Sequence, residues 1–267
     1  MFRVISGSRG VGWRPIDSGV TLYNGQLCKE ITTGFGPLAV ASGAGDGSGL
    51  QVIQGIVIAN NDKVSQINAT YGTYISGVTS QASQNARDYR GNDGNFPVGD
   101  QKPLVQVEFI GPETLIAAPV FASGTVINTA LATLTVTTGS TTGLGFTSNA
   151  ADFTPVANIC TSYCRSGANM GVSEISSDTS TTVETNTIGF PNDIAISDTF
   201  VRVPYKIGQS YAQINSTSGA LGLWLDGTAS PATDYYIINV ERMDLQISGE
   251  ETIYFRFAPC HFDAVRA

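Results

Sequence analysis

The chain has 267 residues, of which 42% are apolar and only 13% charged, and its formal net charge is −8. This apolar content excludes a disordered chain, and 22 acidic against 14 basic residues argue against nucleic acid as a partner, because phosphate binding needs clustered Lys and Arg. No stretch has the roughly 18 consecutive apolar residues that cross a membrane. Because we recognise no secretion signal either, we expect a soluble protein made in a cytoplasm.

The first 15 residues are basic and rich in glycine, and no acid precedes Asp17. We interpret residues 1–15 as an N-terminal arm that latches onto an acidic partner surface, since arginine pairs well with carboxylates and tryptophan is a common interface anchor. The predicted partner-binding residues of this arm are Arg3, Arg9, Trp13 and Arg14. Two alternatives are a frayed tail and a first core strand that buries Phe2, Val4 and Ile5.

Residues 16–122 are predicted to form a β-domain. Asn24-Gly25 between apolar runs predicts a hairpin, because both residues tolerate positive φ. The stretch Leu50–Asn60 is rich in β-branched residues and predicts a buried strand, with a bulge or a close backbone approach at Gly55. Residues 61–103 are the least regular part and include one possible helical stretch, Gln81–Tyr89. Pro103–Ile110 and Leu115–Phe121 are the next predicted strands, the second broken by Pro119.

The order of turns and strands in residues 16–60 resembles the compact β-domain of tailed-phage head decoration, or cement, proteins. The residues that carry the resemblance are Gly19-Val20, Asn24-Gly25, Gly34-Phe35-Gly36-Pro37 and Gly55-Ile56-Val57-Ile58, with weaker similarity at Val98–Asp100 and Val105–Phe109. The resemblance implies a non-enzymatic structural protein of the virion. It also implies that the chain is assembled in the host cytoplasm, binds the major capsid protein at the capsid surface and associates as a homotrimer.

Residues 123–205 are rich in Thr and Ser, and short strands at turn-bounded intervals predict a β-sandwich or a large insertion. The predicted strands here are a pair within Val126–Thr137, followed by Val156–Cys160, Gly171–Ile175, Thr181–Ile188 and Thr199–Val203. Residues 206–267 carry four more, which we expect to complete the first domain: Leu221–Leu225, Tyr235–Val240, Met243–Ile247 and Ile253–Ala258. The predicted fold is therefore all-β, with antiparallel barrel or sandwich domains and short helical turns only.

The sequence offers little for catalysis. His261 is the only histidine, and a structural role is expected because its neighbour Cys260 would point to the opposite face of a strand. Cys160 and Cys164 are four residues apart, so a disulfide, a zinc site with Cys260 and His261, and free buried thiols all stay open, with free thiols as the default. We predict no enzyme activity and no bound metal or cofactor, and interpret Gly45–Gly49 and Asn92–Asn95 as plain turns rather than calcium loops.

Two further functions remain as alternatives to a decoration protein. A phage tail, fibre or receptor-binding component would use the Thr-rich middle of the chain for recognition. A carbohydrate-binding module would need exposed aromatic residues, for which Trp13, Trp224, Tyr71 and Tyr74 are the candidates.

Overall fold

A computed structural model describes residues 2–15, 21–22, 27–30, 38–40, 53–58, 78–79, 104–122, 129–216, 223–230 and 236–262. The helical stretch proposed for Gln81–Tyr89 lies outside them. The strands, in chain order, are β1 (Arg3–Ser6), β2 (Val11–Pro15), β3 (Thr21–Leu22), β4 (Leu27–Glu30), β5 (Leu38–Val40), β6 (Gly55–Val57), β7 (Val78–Thr79), β8 (Leu104–Phe109), β9 (Leu115–Phe121), β10 (Leu134–Thr138), β11 (Gly145–Ser148), β12 (Thr161–Cys164), β13 (Ser173–Ile175), β14 (Val183–Thr185), β15 (Thr199–Val203), β16 (Gly208–Ala212), β17 (Ile214–Ser216), β18 (Leu223–Asp226), β19 (Tyr236–Asp244) and β20 (Thr252–Phe257). One 3-10 turn, Pro259–His261, is the only helical element in these ranges, so the all-β prediction is confirmed.

A seven-stranded sheet is built around β9. Its order is β16-β19-β20-β9-β18-β17, and β1 pairs antiparallel with the first half of β9 while β18 pairs in parallel with the second half. Contrary to the sequence prediction, Pro119 does not break β9. It lies opposite Thr252, at the last pair of the β20 ladder, where a missing backbone N–H is best tolerated.

A curled six-stranded sheet contains every described strand between residues 123 and 205, in the order β13-β12-β15-β10-β11-β14. Just beyond its edge strands the two edges meet, since Ser177 N–H donates to Thr185 O at 2.8 Å and Thr187 N–H donates to Ile175 O at 2.8 Å. The alternation of β15 defines its two faces. Phe200 packs inside the curl against Leu134 and Phe146, while Val201 and Val203 pack outside it against the larger core.

A five-stranded sheet, with the order β2-β8-β6-β4-β5, contains part of the predicted β-domain, and β3 pairs with β7. The close approach predicted at Gly55 is confirmed. A Cβ at this position would lie 2.4 Å from Val107 Cγ1 and 2.5 Å from Glu108 O, so only glycine fits between β6 and β8.

One hydrophobic core joins the three sheets. It includes Ile56 from the five-stranded sheet, Val203 from the curled sheet and Phe255 from the seven-stranded sheet, all nearly inaccessible to solvent. The C-terminal turn adds a backbone link, because Ile53 N–H donates to His261 O at 2.7 Å. The strands after residue 206 thus lie in a sheet with β1 and β9 from the first part of the chain.

The segment predicted as an N-terminal arm is part of the folded sheets. Its residues form β1 and β2, which pair with β9 and β8 in two different sheets. Phe2 is 3% exposed and lies edge-on to Phe255, with ring centroids 5.8 Å apart. The alternative of a first core strand fits Phe2 and the partly buried Val4, but Ile5 points outward and is 43% exposed.

Four other local predictions differ from the structure. The strands beside Asn24-Gly25 do not pair with each other among the described residues, because β3 pairs with β7 and β4 pairs with β5 and β6. Residues 129–133 and 156–160 are not strands, so the predicted pair within Val126–Thr137 reduces to β10, and the strand predicted at Val156–Cys160 begins only at Thr161. The strands predicted at Tyr235–Val240 and Met243–Ile247 are one strand, β19, with an irregularity between Val240 and Arg242.

Candidate interaction surface

The four residues predicted to bind a partner do not form one surface in the described structure. Arg3 is exposed on β1. Arg9 lies between the strands and is held by Glu113, with Nε donating to Oε1 at 2.6 Å and Nη2 donating to Oε2 at 3.0 Å. This pair lowers the pKa of the Glu113 carboxyl. Trp13 and Arg14 belong to β2, but their side chains lie outside the described part.

Arg3 differs from the other basic residues whose side chains are described. Each of the others makes an ion pair or a side-chain hydrogen bond: Arg9, Arg165, Arg202, Lys206, Arg242 and Arg256. Arg3 has no such contact within the described residues. Two residues further along β1, at an irregularity of the ladder between Val4 and Ser6, Ile5 is 43% exposed. We call Arg3 and Ile5 the β1 patch.

An apolar groove lies where the two edges of the curled sheet meet the start of β16. It has a volume of about 280 Å³, and its exposed aliphatic side chains are Ile175, Ile188 and Ile207. Met243 forms its floor on the side of the seven-stranded sheet. We call this surface the isoleucine groove.

Glu174 precedes Ile175 in β13, and the register places its side chain on the opposite face of the sheet from Ile175. Burial raises the pKa of this carboxyl, and no cation of the described structure pairs with it. A second depression of about 380 Å³ shares Met243 with the groove and is lined by Ile247, Glu250 and the ion pair of Arg242 with Asp244.

Loops at the other end of the curled sheet carry a second group of exposed apolar side chains. Asn169 ties two of them together, since its Nδ2 donates to Asn192 O at 3.0 Å and to Asp193 O at 3.1 Å. A third joins through Phe190 N–H, which donates to Gly143 O at 2.8 Å. These loops, residues 139–144, 167–171 and 189–198, are called the loop end, and they expose Leu144, Met170 and Ile196.

Most of the exposed aliphatic surface belongs to the curled sheet and its loops. Among the described residues the large exposed apolar side chains are Ile5, Val11, Leu144, Met170, Ile175, Val183, Ile188, Ile196, Ile207 and Ile247. Six of these ten lie between residues 134 and 203. Clustered exposed apolar surface on a soluble domain is typical of a protein interface.

A buried charge cluster inside the curled sheet was missed from the sequence. Arg202 is 2% exposed, and its Nε and Nη2 form a two-pronged pair with Asp152 at 2.8 and 2.5 Å. Its Nη1 reaches Asp178 at 3.1 Å and contacts Glu184, while Nη2 also donates to Ser180 O at 2.8 Å. Arg202 therefore satisfies its whole guanidinium inside the protein, which indicates a structural role. The sequence does contain a signal for this cluster: Arg202 lies two residues after Phe200 and so shares its buried face of β15.

The pKa values of the carboxyl groups in this cluster are raised by burial. Removal from water raises the pKa of Glu184 to about 9, and the negative charges of Asp152 and Asp178 add to this effect against the attraction of Arg202. Burial also raises the pKa of Asp152, partly offset by its hydrogen bond to Arg202. Glu184 is thus protonated at neutral pH.

His261, Cys160 and Cys164, the residues considered for catalysis or zinc binding, are buried. His261 is 1% exposed, and its Nε2 accepts a hydrogen bond from Ile237 N–H at 2.9 Å, so it holds the C-terminal turn against β19. Burial raises the pKa of Cys160 and Cys164 to about 11, so both are thiols at neutral pH and weak nucleophiles. The strand between them spans about 13 Å, beyond the reach of a disulfide. No cluster of three metal-ligating side chains occurs in the described ranges.

Comparisons with known proteins do not identify the chain. No family model matches it, and no curated protein or solved structure is significantly similar to it. Within the described ranges no helix is long and apolar enough to cross a membrane.

Proposed function

We propose that the chain is a non-enzymatic structural protein of a phage virion, a head decoration or cement protein that binds the major capsid protein lattice and stabilises it. The observation that carries the proposal is the loop end, where three hydrogen-bonded loops expose Leu144, Met170 and Ile196. Loops tied in this way present an aliphatic surface without a large ordering cost on binding. The resemblance of residues 16–60 to decoration proteins points to the same function.

Binding to a repeating lattice also suits the composition. A charge content of 13% gives a surface with few groups to desolvate when many copies pack on a shell. Each added copy binds only the assembled shell and so stabilises it by mass action, and association of the copies as a homotrimer multiplies the contacts. The protein would then act at the capsid surface without chemistry of its own.

The carbohydrate-binding alternative is weakened by Trp224. This side chain is 2% exposed and lies edge-on to Phe121, with ring centroids 6.2 Å apart, so it is not available to stack on a sugar. Tyr71 and Tyr74 lie outside the described residues, and so does the side chain of Trp13. A tail, fibre or receptor-binding role remains the competing function, and the location of the protein on the virion distinguishes it.

Co-sedimentation with shells tests the proposal. Shells assembled from the major capsid protein of the same virus are mixed with increasing amounts of the purified chain. We expect saturable binding at a fixed ratio to shell subunits and a higher melting temperature of the decorated shells. Failure to sediment with the shells at low salt would contradict the proposal.

Matched variants locate the contact. Met170→Ser and Ile196→Ser remove exposed side chains of the loop end, with exposures of 60% and 68%, and should weaken shell binding at least about tenfold together. Val11→Ser is the control, because this valine is equally accessible at 53% but belongs to the five-stranded sheet. All three variants should have the same melting temperature as the parent. If Val11→Ser weakened shell binding equally, the loop end would not be the contact with the shell.

A further inference from the structure

The two edges of the curled sheet are joined by a short contact just beyond β13 and β14, each of which has only three residues. Ser177 N–H donates to Thr185 O at 2.8 Å, and Thr187 N–H donates to Ile175 O at the same distance. Within the described residues no other backbone hydrogen bond crosses between these edges. We call residues 175–177 and 185–187 the seam.

One side chain braces the seam from outside. Asn158 N–H donates to Ser176 O on one edge at 2.7 Å, and its Oδ1 accepts a hydrogen bond from Thr187 Oγ1 on the other edge at 2.8 Å. The seam therefore depends on a few hydrogen bonds at the protein surface.

Buried polar side chains without hydrogen-bond partners lie behind the seam. Asn186 is opposite Ser176, and it shares the inner face of its strand with Glu184, two residues before it. It is 4% exposed, yet neither Nδ2 nor Oδ1 has a partner among the described residues. In β12, next to β13, the fully buried Ser162 Oγ has none either. Such a group costs more free energy than a typical hydrogen bond contributes, so closing the seam is opposed from within.

We propose that the curled sheet opens reversibly at the seam, which separates the edge of β14 from the edge of β13 and lets water reach Asn186 and Glu184. The opening breaks the few hydrogen bonds of the seam and hydrates polar groups that are buried when it is closed, so it is less costly than unfolding the sheet. Ile175 and Ile188 lie on the two sides of the seam, and opening therefore also changes the isoleucine groove that they line. This inference does not rest on the proposed function.

Proton release accompanies the opening. In the closed sheet Glu184 faces Arg202 of β15, Asp178 of the connection between β13 and β14, and Asp152. Desolvation raises the pKa of Glu184 to about 9, and water in the open sheet returns this pKa towards its ordinary 4.5. Cys160 beside the same cluster stays a thiol, because burial raises its pKa to about 11. The closed sheet holds a proton that the open sheet releases, so opening becomes more favourable as the pH rises between these two pKa values of Glu184.

Hydrogen exchange of the Ser177 and Thr187 amides, followed by NMR in the isolated protein, tests the opening. Phe255, which pairs with both β19 and β9, is the reference for global unfolding. We expect the seam amides to be at least about tenfold less protected than Phe255 and nearly insensitive to low urea, because a local opening exposes little surface. Their protection, corrected for intrinsic exchange, should fall about tenfold per pH unit between about pH 6 and about pH 8. Equal protection and equal urea dependence at the seam and at Phe255 would overturn the proposal.

Variants separate the causes of the opening. Asn186→Leu removes the unpartnered amide at similar size and should slow exchange of the Ser177 amide at least about fivefold, whereas Thr187→Val removes a brace and should speed it at least about twofold. Glu184→Gln should abolish the pH dependence of protection. Thr185→Val, at an exposed position on the outer face of β14, is the control and should change neither. An unchanged rate in Asn186→Leu, or an unchanged pH dependence in Glu184→Gln, would contradict the proposal.

Discussion

Glu184 is the residue whose state depends most on the fold around it. Its carboxyl lies beside Arg202, but the carboxylates of Asp152 and Asp178 already pair with that arginine, and Glu184 is only 1% exposed to solvent. Its pKa rises from the ordinary 4.5 to about 9. Between these two pH values the folded protein holds a proton that the unfolded chain releases.

The proton held by Glu184 makes the stability of the protein depend on pH. Stability from protonated Glu184 is fully present below about pH 4.5 and is lost as the pH rises towards about pH 9, since the folded state binds the extra proton. Glu184→Gln keeps the neutral shape without titrating. We measure the free energy of unfolding in urea. That of Glu184→Gln, relative to the parent, should rise by at least about 1 kcal/mol between about pH 5 and about pH 9.

The matching control is Glu250→Gln, which removes an exposed carboxylate from the β19–β20 turn. A constant difference between Glu184→Gln and the parent over the whole range would show that Glu184 is ionised beside Arg202. The attraction of Arg202 would then outweigh desolvation at this site.

Phe2 and Ile5 give a second prediction at the residue scale. Phe2 is buried against Phe255, so Phe2→Ala should lower the free energy of unfolding by about 3 kcal/mol. Ile5→Ala, on the opposite face of β1, should change it by less than about 1 kcal/mol. Equal, small effects in denaturant unfolding would restore the free arm that the glycine-rich sequence suggests.

At the scale of elements, one ion pair joins the curled sheet to the β19–β20 hairpin. Arg165 follows β12, and its Nε donates to Leu245 O at 2.9 Å while its Nη2 pairs with Glu251. Glu251 is inaccessible to solvent and also accepts a hydrogen bond from Gly249 N–H at 2.9 Å. The buried carboxylate of Glu251 therefore depends on Arg165 to compensate its charge.

Arg165→Met should therefore destabilise the protein by about 3 kcal/mol, because it leaves the Glu251 carboxylate buried without a cation. Adding Glu251→Gln should recover part of the loss. Arg242→Met, which removes an exposed arginine from its pair with Asp244, serves as the control and should melt with the parent. Similar melting temperatures for the Arg165 and Arg242 variants would mean that the two units do not depend on this contact.

Strands with a clear alternation were predictable, and pairings were not. β8 and β20 follow the alternation of apolar and polar residues closely. The pattern says nothing about partners, so β1 was interpreted as an arm although β9 provides its ladder. The hairpin signal at Asn24-Gly25 was outweighed by long-range pairing of β3 with β7. Tertiary contacts decide between such options, and one sequence does not contain them explicitly.

The candidate surfaces were even less visible in the sequence. Ile175, Ile188 and Ile207 are far apart along the chain and look like core residues, because isoleucine is usually buried. Only the closure of the curled sheet brings them to one exposed groove. The arginines near the N-terminus were noticed as a group, but Arg9 turned out to be held by Glu113.

At the scale of the whole molecule, the shared core predicts one unfolding transition. Val201 and Val203 of the curled sheet pack with Tyr205 and Ile253 in the core of the seven-stranded sheet, so neither unit is complete alone. Differential scanning calorimetry of the parent should give a single peak with equal calorimetric and van't Hoff enthalpies per folding unit. Two resolved peaks would mean that the curled sheet is an independent domain.

The most direct test of the proposed function is whether this protein lies on the heads of phage particles. Electron cryo-microscopy of complete particles, with antibody labelling of the chain, shows whether it lies on the head or on the tail. Binding to the major capsid protein predicts regular density on the outer face of the icosahedral head, with loops 139–144, 167–171 and 189–198 towards the shell. Label found only on tails or fibres, or absent from particles, would contradict it.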